Sequence, residues 1–165
     1  MIVGPITAVR MARAAISSTP IVFVSGGDPI AIGLVSNLSR PGGNITGVSF
    51  ASAPLLPKRL GLLHELVPPP ATIAWLHDPR GPNEEEEKEV PNAARELGRQ
   101  LLVVNAQSAA EIDAAFATIV QSRAGALLIG ADILFNNRRR QLAALATRHG
   151  VPAISGIREF VLAGV

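Results

Sequence analysis

The sequence predicts an α/β protein built from parallel sheets with flanking helices. Short apolar runs alternate with amphipathic stretches along most of the chain, as at Thr72–Leu76, Leu101–Val104 and Ala126–Ile129. Strands separated by helical stretches join as right-handed βαβ units and make a parallel sheet. Composition points the same way: hydrophobic residues are 48% of the 165, yet aromatics are only 4%. A core of Ala, Val, Ile and Leu suits sheets covered on both faces.

The elements follow in order. Met1–Val3 reads as the tail of a strand, and Gly4-Pro5 as a turn. Thr7–Ser17 has helical spacing, with Val9, Met11 and Ala15 apolar and Arg10 and Arg13 outward. Ile21–Val24 is a buried strand that opens through Ser25-Gly26-Gly27-Asp28-Pro29, and Pro29–Leu38 predicts a helix. Arg40-Pro41-Gly42-Gly43-Asn44 is a turn whose glycines suit positive φ. Ile45–Phe50 is extended and reads as a crossing into a new sheet.

Pro54–Val67 is an amphipathic helix with the stripe Leu56, Leu60, Leu63 and Val67, stopped by Pro68-Pro69-Pro70. After the strand Thr72–Leu76, a helix is expected over Asn83–Gln100. Asn83 would cap it, and Glu84–Glu87 form its solvated first turn. Pro91 should kink that helix or delay its regular start. Ser108 and Glu111 have capping-box spacing for the helix Ala109–Arg123. Asn136–His149 predicts a helix ended by Gly150 and Pro152. A strand at Pro152–Ile154 and a helix beginning near Ile157 complete the pattern.

Composition also narrows the function. Formal net charge is +2, and the single basic run, Arg138-Arg139-Arg140, has no aromatic belt, which argues against nucleic acid. With no cysteine, disulfides, thiolate metal sites and Cys nucleophiles are excluded. No apolar run reaches the roughly 18 residues of a membrane span. The start MIVGPITAVRMARAAISS does not read as a signal peptide, so as written the chain would be cytoplasmic.

Ligands of open α/β sheets sit beyond the carboxyl ends of the strands. Those ends are Gly4–Thr7, Ser25–Asp28, His77–Pro79, Asn105–Ser108, Gly130–Asp132 and Ser155-Gly156. They offer hydroxyls, N–H groups and Asp, and no Lys or Arg, which suits a zwitterion such as an amino acid. Catalytic readings are weaker. His77 and Asp78 are neighbours, so on a strand they point to opposite faces. His64 is placed on the exposed side of its helix, and no His has a metal-ligand partner at i+3 or i+4. The glycine turns are neither G-x-G-x-x-G nor a Walker loop, and Asp28 would repel a phosphate. No cofactor is expected. Phe135 suits either the core or a place over a bound ring.

The runs PIVFVSGGDP (Pro20–Pro29), GLVSNLSRPGGNITGVS (Gly33–Ser49) and PKRLGLLHELVP (Pro57–Pro68) resemble a family of ABC-transporter substrate-binding proteins. RAGALLIGADILF (Arg123–Phe135) and RHGVPAISGIREF (Arg148–Phe160) resemble it too. The resemblance implies a periplasmic-binding-protein type I fold, with two Rossmann-like lobes that close on a solute in the cleft. Residues 1–45 would be a remnant of the first lobe, 46–52 the hinge crossing and 53–165 a nearly complete second lobe. Thr7, Ser25 and Asp28 would face the solute from the first lobe, and Asp78, Asp132 and Phe135 from the second. Thr46 and Ser49 would lie at the hinge. Some members look specific for tryptophan or tyrosine. The implied partners are an amino-acid-like solute and ABC permease subunits, in the periplasm. The family pattern extends past both ends, which implies a first lobe with open edges at Met1–Val3 and Ile21–Val24, prone to self-association. The alternatives are a small cytoplasmic nucleotide-binding α/β enzyme and a non-catalytic α/β interaction module.

Overall fold

A computed structural model describes residues 2–25, 28–30, 32–49, 55–69, 71–81 and 84–164, without the side chains of 2–7, 10, 25, 84 and 85. The chain divides into two compact units, Met1–Ala53 and Pro54–Val165.

Unit 1 holds β1 (Ile2–Pro5), α1 (Ile6–Ala15), β2 (Ile21–Ser25) and β3 (Ile45–Ser49). The three strands form a parallel sheet in the order β1-β2-β3. Three expectations change here. Gly4-Pro5 is not a turn but the end of β1, opposite Phe23 and Val24. A proline is tolerated there because β1 has a neighbour on one side only among the described residues. Ile21–Val24 is central in the sheet, flanked by β1 and β3, so its expected open edge is not found. Residues 45–49 do not pass into a new sheet, since all five pair with β2, from Ile21↔Ile45 to Ser25↔Ser49. Gly47 permits this approach: a Cβ there would stand 2.4 Å from the Phe23 ring.

The expected helix over Pro29–Leu38 is replaced by turns among the described residues. Gly33 at φ 71° breaks the helical path. The Asn37 side chain accepts the Ser39 and Arg40 N–H groups at 2.8 and 3.1 Å, which competes with helical bonding. The turns fold Leu34 and Val35 into the core with Val9, Ile21, Phe23 and Ile45. Gly42 and Gly43 have φ of 72° and 64°, as the turn requires. The Asn44 amide then ties this turn back to the α1–β2 connection, donating to the Ile16 and Thr19 carbonyls at 3.2 and 2.7 Å.

Unit 2 runs α2 (Leu56–Leu66), β4 (Ile73–His77), α3 (Glu84–Glu96), β5 (Leu101–Asn105), α4 (Ala109–Gln121), β6 (Ala126–Ile129), α5 (Ile133–Asn137), α6 (Arg139–His149), β7 (Ala153–Ile154) and α7 (Arg158–Ala163). Its sheet is parallel, in the order β5-β4-β6-β7. Alternation along the strands gives two cores. Ala74, Leu76, Leu127 and Ile129 pack with Ile112, Phe116, Leu142 and Phe160 of α4, α6 and α7. Ile73, Trp75, Ala126 and Leu128 pack with Leu56, Leu60 and Leu63 of α2 and Val90 of α3. Each fully buried Leu or Ile contributes about 1.5–3 kcal/mol, so the sheet is held from both faces.

The local signals explain the boundaries. Ser108 accepts the Glu111 N–H, and the Glu111 carboxylate reaches back to the Ser108 hydroxyl and the Gln107 N–H. Gly150, at φ 63°, ends α6. α3 is continuous through Pro91, which withholds one backbone donor without ending the helix. The expected Asn83 cap lies outside the described residues. The helix expected over Asn136–His149 is two helices, because Asp132 caps a short one three residues earlier and Arg138 separates it from α6. His64 is half-buried rather than exposed: its Nδ1 accepts Arg99 Nε–H at 2.9 Å. Arg99 also donates to the carbonyls of His64 (2.8 Å) and Val67, so a buried cation caps the C-terminus of α2.

Candidate functional site

Strand order fixes where a ligand would sit in unit 2. From β4 the chain passes to β5 on one side, then crosses to β6 on the other. The carboxyl ends of β4 and β6 are therefore the topological switch point, where open α/β sheets take ligands. Two of the expected site residues stand there, Asp78 directly after β4 and Asp132 three residues after β6.

Asp78 is buried, 5% exposed. Its Oδ1 accepts the Arg80 backbone N–H at 2.9 Å and Arg80 Nε–H at 3.3 Å, and its Oδ2 accepts Arg80 Nη2–H at 3.3 Å. Burial pushes the Asp78 carboxyl up, but the Arg80 hydrogen bonds and charge outweigh it and hold the group below its ordinary range. Arg80 also donates to the Gln107 carbonyl beyond β5 and is itself largely exposed. The mouth thus carries an arginine that the strand ends alone do not reveal.

Asp132 accepts the Leu134 N–H at 2.6 Å as the cap of α5. Its pKa is raised, first by burial and then by the Asp78 charge, against the lowering effect of the Leu134 bond, Arg80 and His77. The charge on Asp132 is therefore influenced by Asp78, Arg80 and His77 at the ends of the two strands.

His77 and Asp78 part as alternation requires. The His77 ring is buried against Trp75, with centroids 4.5 Å apart, and its Nε2 lies 3.1 Å from Glu87 Oε1. The Glu84–Glu87 run is not wholly a solvated turn: Glu86 is 2% exposed, and its Oε1 accepts the Ala131 N–H at 3.3 Å. Helical spacing marks this residue, since Glu86 stands one turn before Val90 on the face that also buries Ala93 and Ala94; only the run of four glutamates disguises it.

Phe135, expected in the core or over a bound ring, is fully buried among the residues between the sheet and α4 to α7. It is core and has no surface to offer a ligand. On unit 1, Asp28 Oδ1 accepts the Ile30 N–H at 2.8 Å and shapes the turn after β2. Thr46 is exposed on β3, and Ser49 lies in register with Ser25 at the ends of β3 and β2. The side chains of Thr7 and Ser25 are outside the described residues. Among the described residues, no group of three or more His, Asp or Glu side chains is placed to hold a metal ion, and no helix is long and apolar enough to cross a membrane.

Solved structures share this architecture. A conserved domain protein from Vibrio cholerae aligns with a TM-score of 0.80 at 23% identity, over 99% of this chain and 55% of its own. A domain from Streptococcus pneumonia, solved in complex with L-Trp, aligns with a TM-score of 0.75 at 22% identity, over 98% and 55%. A ligand-free, open substrate-binding protein with adhesive properties from Clostridium difficile gives 0.60 at 24%, over 93% and 52%. The chain thus spans about half the length of these proteins. Among curated proteins, none matches it. The family model of ABC transporter substrate binding proteins, by contrast, matches residues 1–165, and the chain belongs to that family.

Proposed function

We propose that the chain acts as the solute-binding component of an ABC importer, or as part of one, without catalysis of its own. The observation that carries this reading is the paired charge at the β4–β6 mouth. Arg80 is a largely exposed guanidinium that pairs with Asp78 through Nε and Nη2, which leaves Nη1 to donate to a solute carboxylate, and Asp132 is a carboxylate whose charge is disfavoured by burial and by Asp78. An incoming ammonium group would relieve that cost. Opposite charges a short way apart fit a zwitterion, so the proposed solute is amino-acid-like. The partners that follow are ABC permease subunits, and the proposed place of action is extracytoplasmic. Asp28, with Thr7, Ser25, Thr46 and Ser49, is proposed as a further contact set on unit 1.

The L-Trp complex of the Streptococcus pneumonia domain makes L-tryptophan the first solute to try. Calorimetry on the chain would compare L-tryptophan with tryptamine, which lacks the carboxylate, and indole-3-propionate, which lacks the ammonium group. The zwitterion should bind most tightly, and other L-amino acids extend the series. Equal affinity for all three compounds, or no binding of any amino acid, refutes the reading.

A further inference from the structure

The first turn of α3 sends two carboxylates to the mouth. Glu86 Oε1 accepts the Ala131 N–H just past β6, at 3.3 Å. Glu87 Oε1 meets His77 Nε2, at the last residue of β4, at 3.1 Å. Together the two links span the switch point, and Asp78 and Asp132 each follow their anchor by one residue. Two glycines leave room for the charged side chains. A Cβ on Gly130 would stand 3.3 Å from Glu86 Oε2, and one on Gly156 would stand 3.0 Å from Arg59 Nη1. Arg59 supplies the compensating charge: burial lowers its pKa and Glu86 raises it. Burying a carboxylate costs stability unless other groups compensate it. Here one oxygen of the compensated group holds a backbone N–H of the mouth.

We propose that Glu86 is a positioning residue for the mouth. Through the Ala131 N–H it fixes the Gly130–Asp132 turn, and so the Asp132 carboxylate, relative to the end of β4. Its consequence for solute affinity rests on the functional reading above, whereas the effect on the turn does not.

The test uses the full chain labelled for NMR, with Glu86→Gln and Glu86→Asp. Glutamine keeps an acceptor at the same reach. Aspartate keeps the charge but is one methylene short. Three readouts are taken: amide exchange of Ala131, the titration midpoint of the Asp132 carboxyl, and solute affinity. Glu86→Asp should speed Ala131 exchange by about tenfold or more, as loss of a bond to a charged acceptor implies. It should also shift the Asp132 midpoint, with Asp78, Arg80 and His77 still facing that group. Glu86→Gln should leave both near their parent values. Should Glu86→Asp fail to fold, Glu86→Met, which keeps the length and removes the acceptor, carries the same expectation. Parent-like exchange in both variants overturns the proposal, as does an equal rise in both. If the Ala131 and Asp132 readouts behave as expected while no solute binds even the parent, positioning of the turn stands and the binding reading falls.

Discussion

Gly130 leaves little room for a side chain at the mouth of unit 2, and Gly130→Ala tests that packing. The added Cβ would stand 2.9 Å from the Leu76 carbonyl oxygen, 3.3 Å from Glu86 Oε2 and 3.4 Å from Trp75 Nε1. The first of these is backbone of a central strand and has no rotamer to escape into. Forcing one methyl into such a site costs about 1–3 kcal/mol. Gly61, inside α2, provides the opposite case, since nothing lies within 4 Å of its added Cβ. Alanine there should stabilise by about 0.5–1 kcal/mol through helix propensity and a less free unfolded chain. The two alanines should therefore differ by about 1.5–4 kcal/mol, the sum of the two ranges. Urea unfolding at 25 °C, followed by Trp75 fluorescence, measures this on the right unit, because Trp75 is the single tryptophan and lies in β4. Gly130→Ala within about 0.5 kcal/mol of the parent, the span of an ordinary surface change, would refute the packing argument. So would a loss in Gly61→Ala as large as that in Gly130→Ala.

Other perturbations probe separate parts. Arg99→Met strips the guanidinium from the His64 and Val67 carbonyls at the end of α2 and should cost about 3–5 kcal/mol, from two or more charged hydrogen bonds; a loss under about 1 kcal/mol in urea unfolding contradicts the capping role. Asp132→Ala removes the cap of α5, worth about 1 kcal/mol, along with the disfavoured charge, whereas Asp132→Asn removes that charge but keeps an acceptor for Leu134, so the asparagine variant should be the more stable of the two and should raise the melting temperature at pH 7. Asp28→Ala should weaken solute binding if Asp28 is a contact, and calorimetry showing unchanged affinity would leave it only the turn bond to Ile30.

The legible part of this protein is the part that depends on periodicity. The leucine stripe of α2, the short apolar runs of β4 and β6 and the capping pair Ser108 and Glu111 are local patterns, and the structure contains them. Pro29–Leu38 fails for a local reason as well: Gly33 turns to positive φ and the Asn37 side chain offers the backbone competing bonds, and together they outweigh an apolar spacing. Mouth geometry is different in kind. Arg80 folds back on Asp78 from two residues away, and Glu86 reaches Ala131 across 45 residues. The first is an Asx-turn spacing whose arginine lies one residue past the strand end His77–Pro79, whereas the second has no spacing to find. Phe135 illustrates the converse, since a ring beside a mouth residue fits core and ligand contact equally until the packing of α4 to α7 decides it.

The two mouth aspartates should have opposite effects on stability, and acid titration separates them. Asp78 is held below its ordinary range in the fold, so its contribution is present above the unfolded value near 4 and is lost as pH falls through its lower folded value. Asp132 is raised, so the fold binds its proton more tightly than the unfolded chain does. Its charge therefore costs stability at neutral pH, and that cost fades as pH falls through the raised value toward about 4. Asp78→Asn should accordingly destabilise at pH 7 and approach the parent in acid, while Asp132→Asn should stabilise at pH 7 and lose its advantage in acid. Urea unfolding of both variants at pH 7 and pH 3.5 gives the signs directly. Penalties of the same sign at pH 7 would contradict the asymmetry. That asymmetry is what lets one mouth hold a satisfied ion pair, Asp78 with Arg80, beside a carboxylate that gains from meeting a cation. Saturating solute that engages Asp132 should then reverse the ranking at pH 7, leaving Asp132→Asn less stable than the liganded parent.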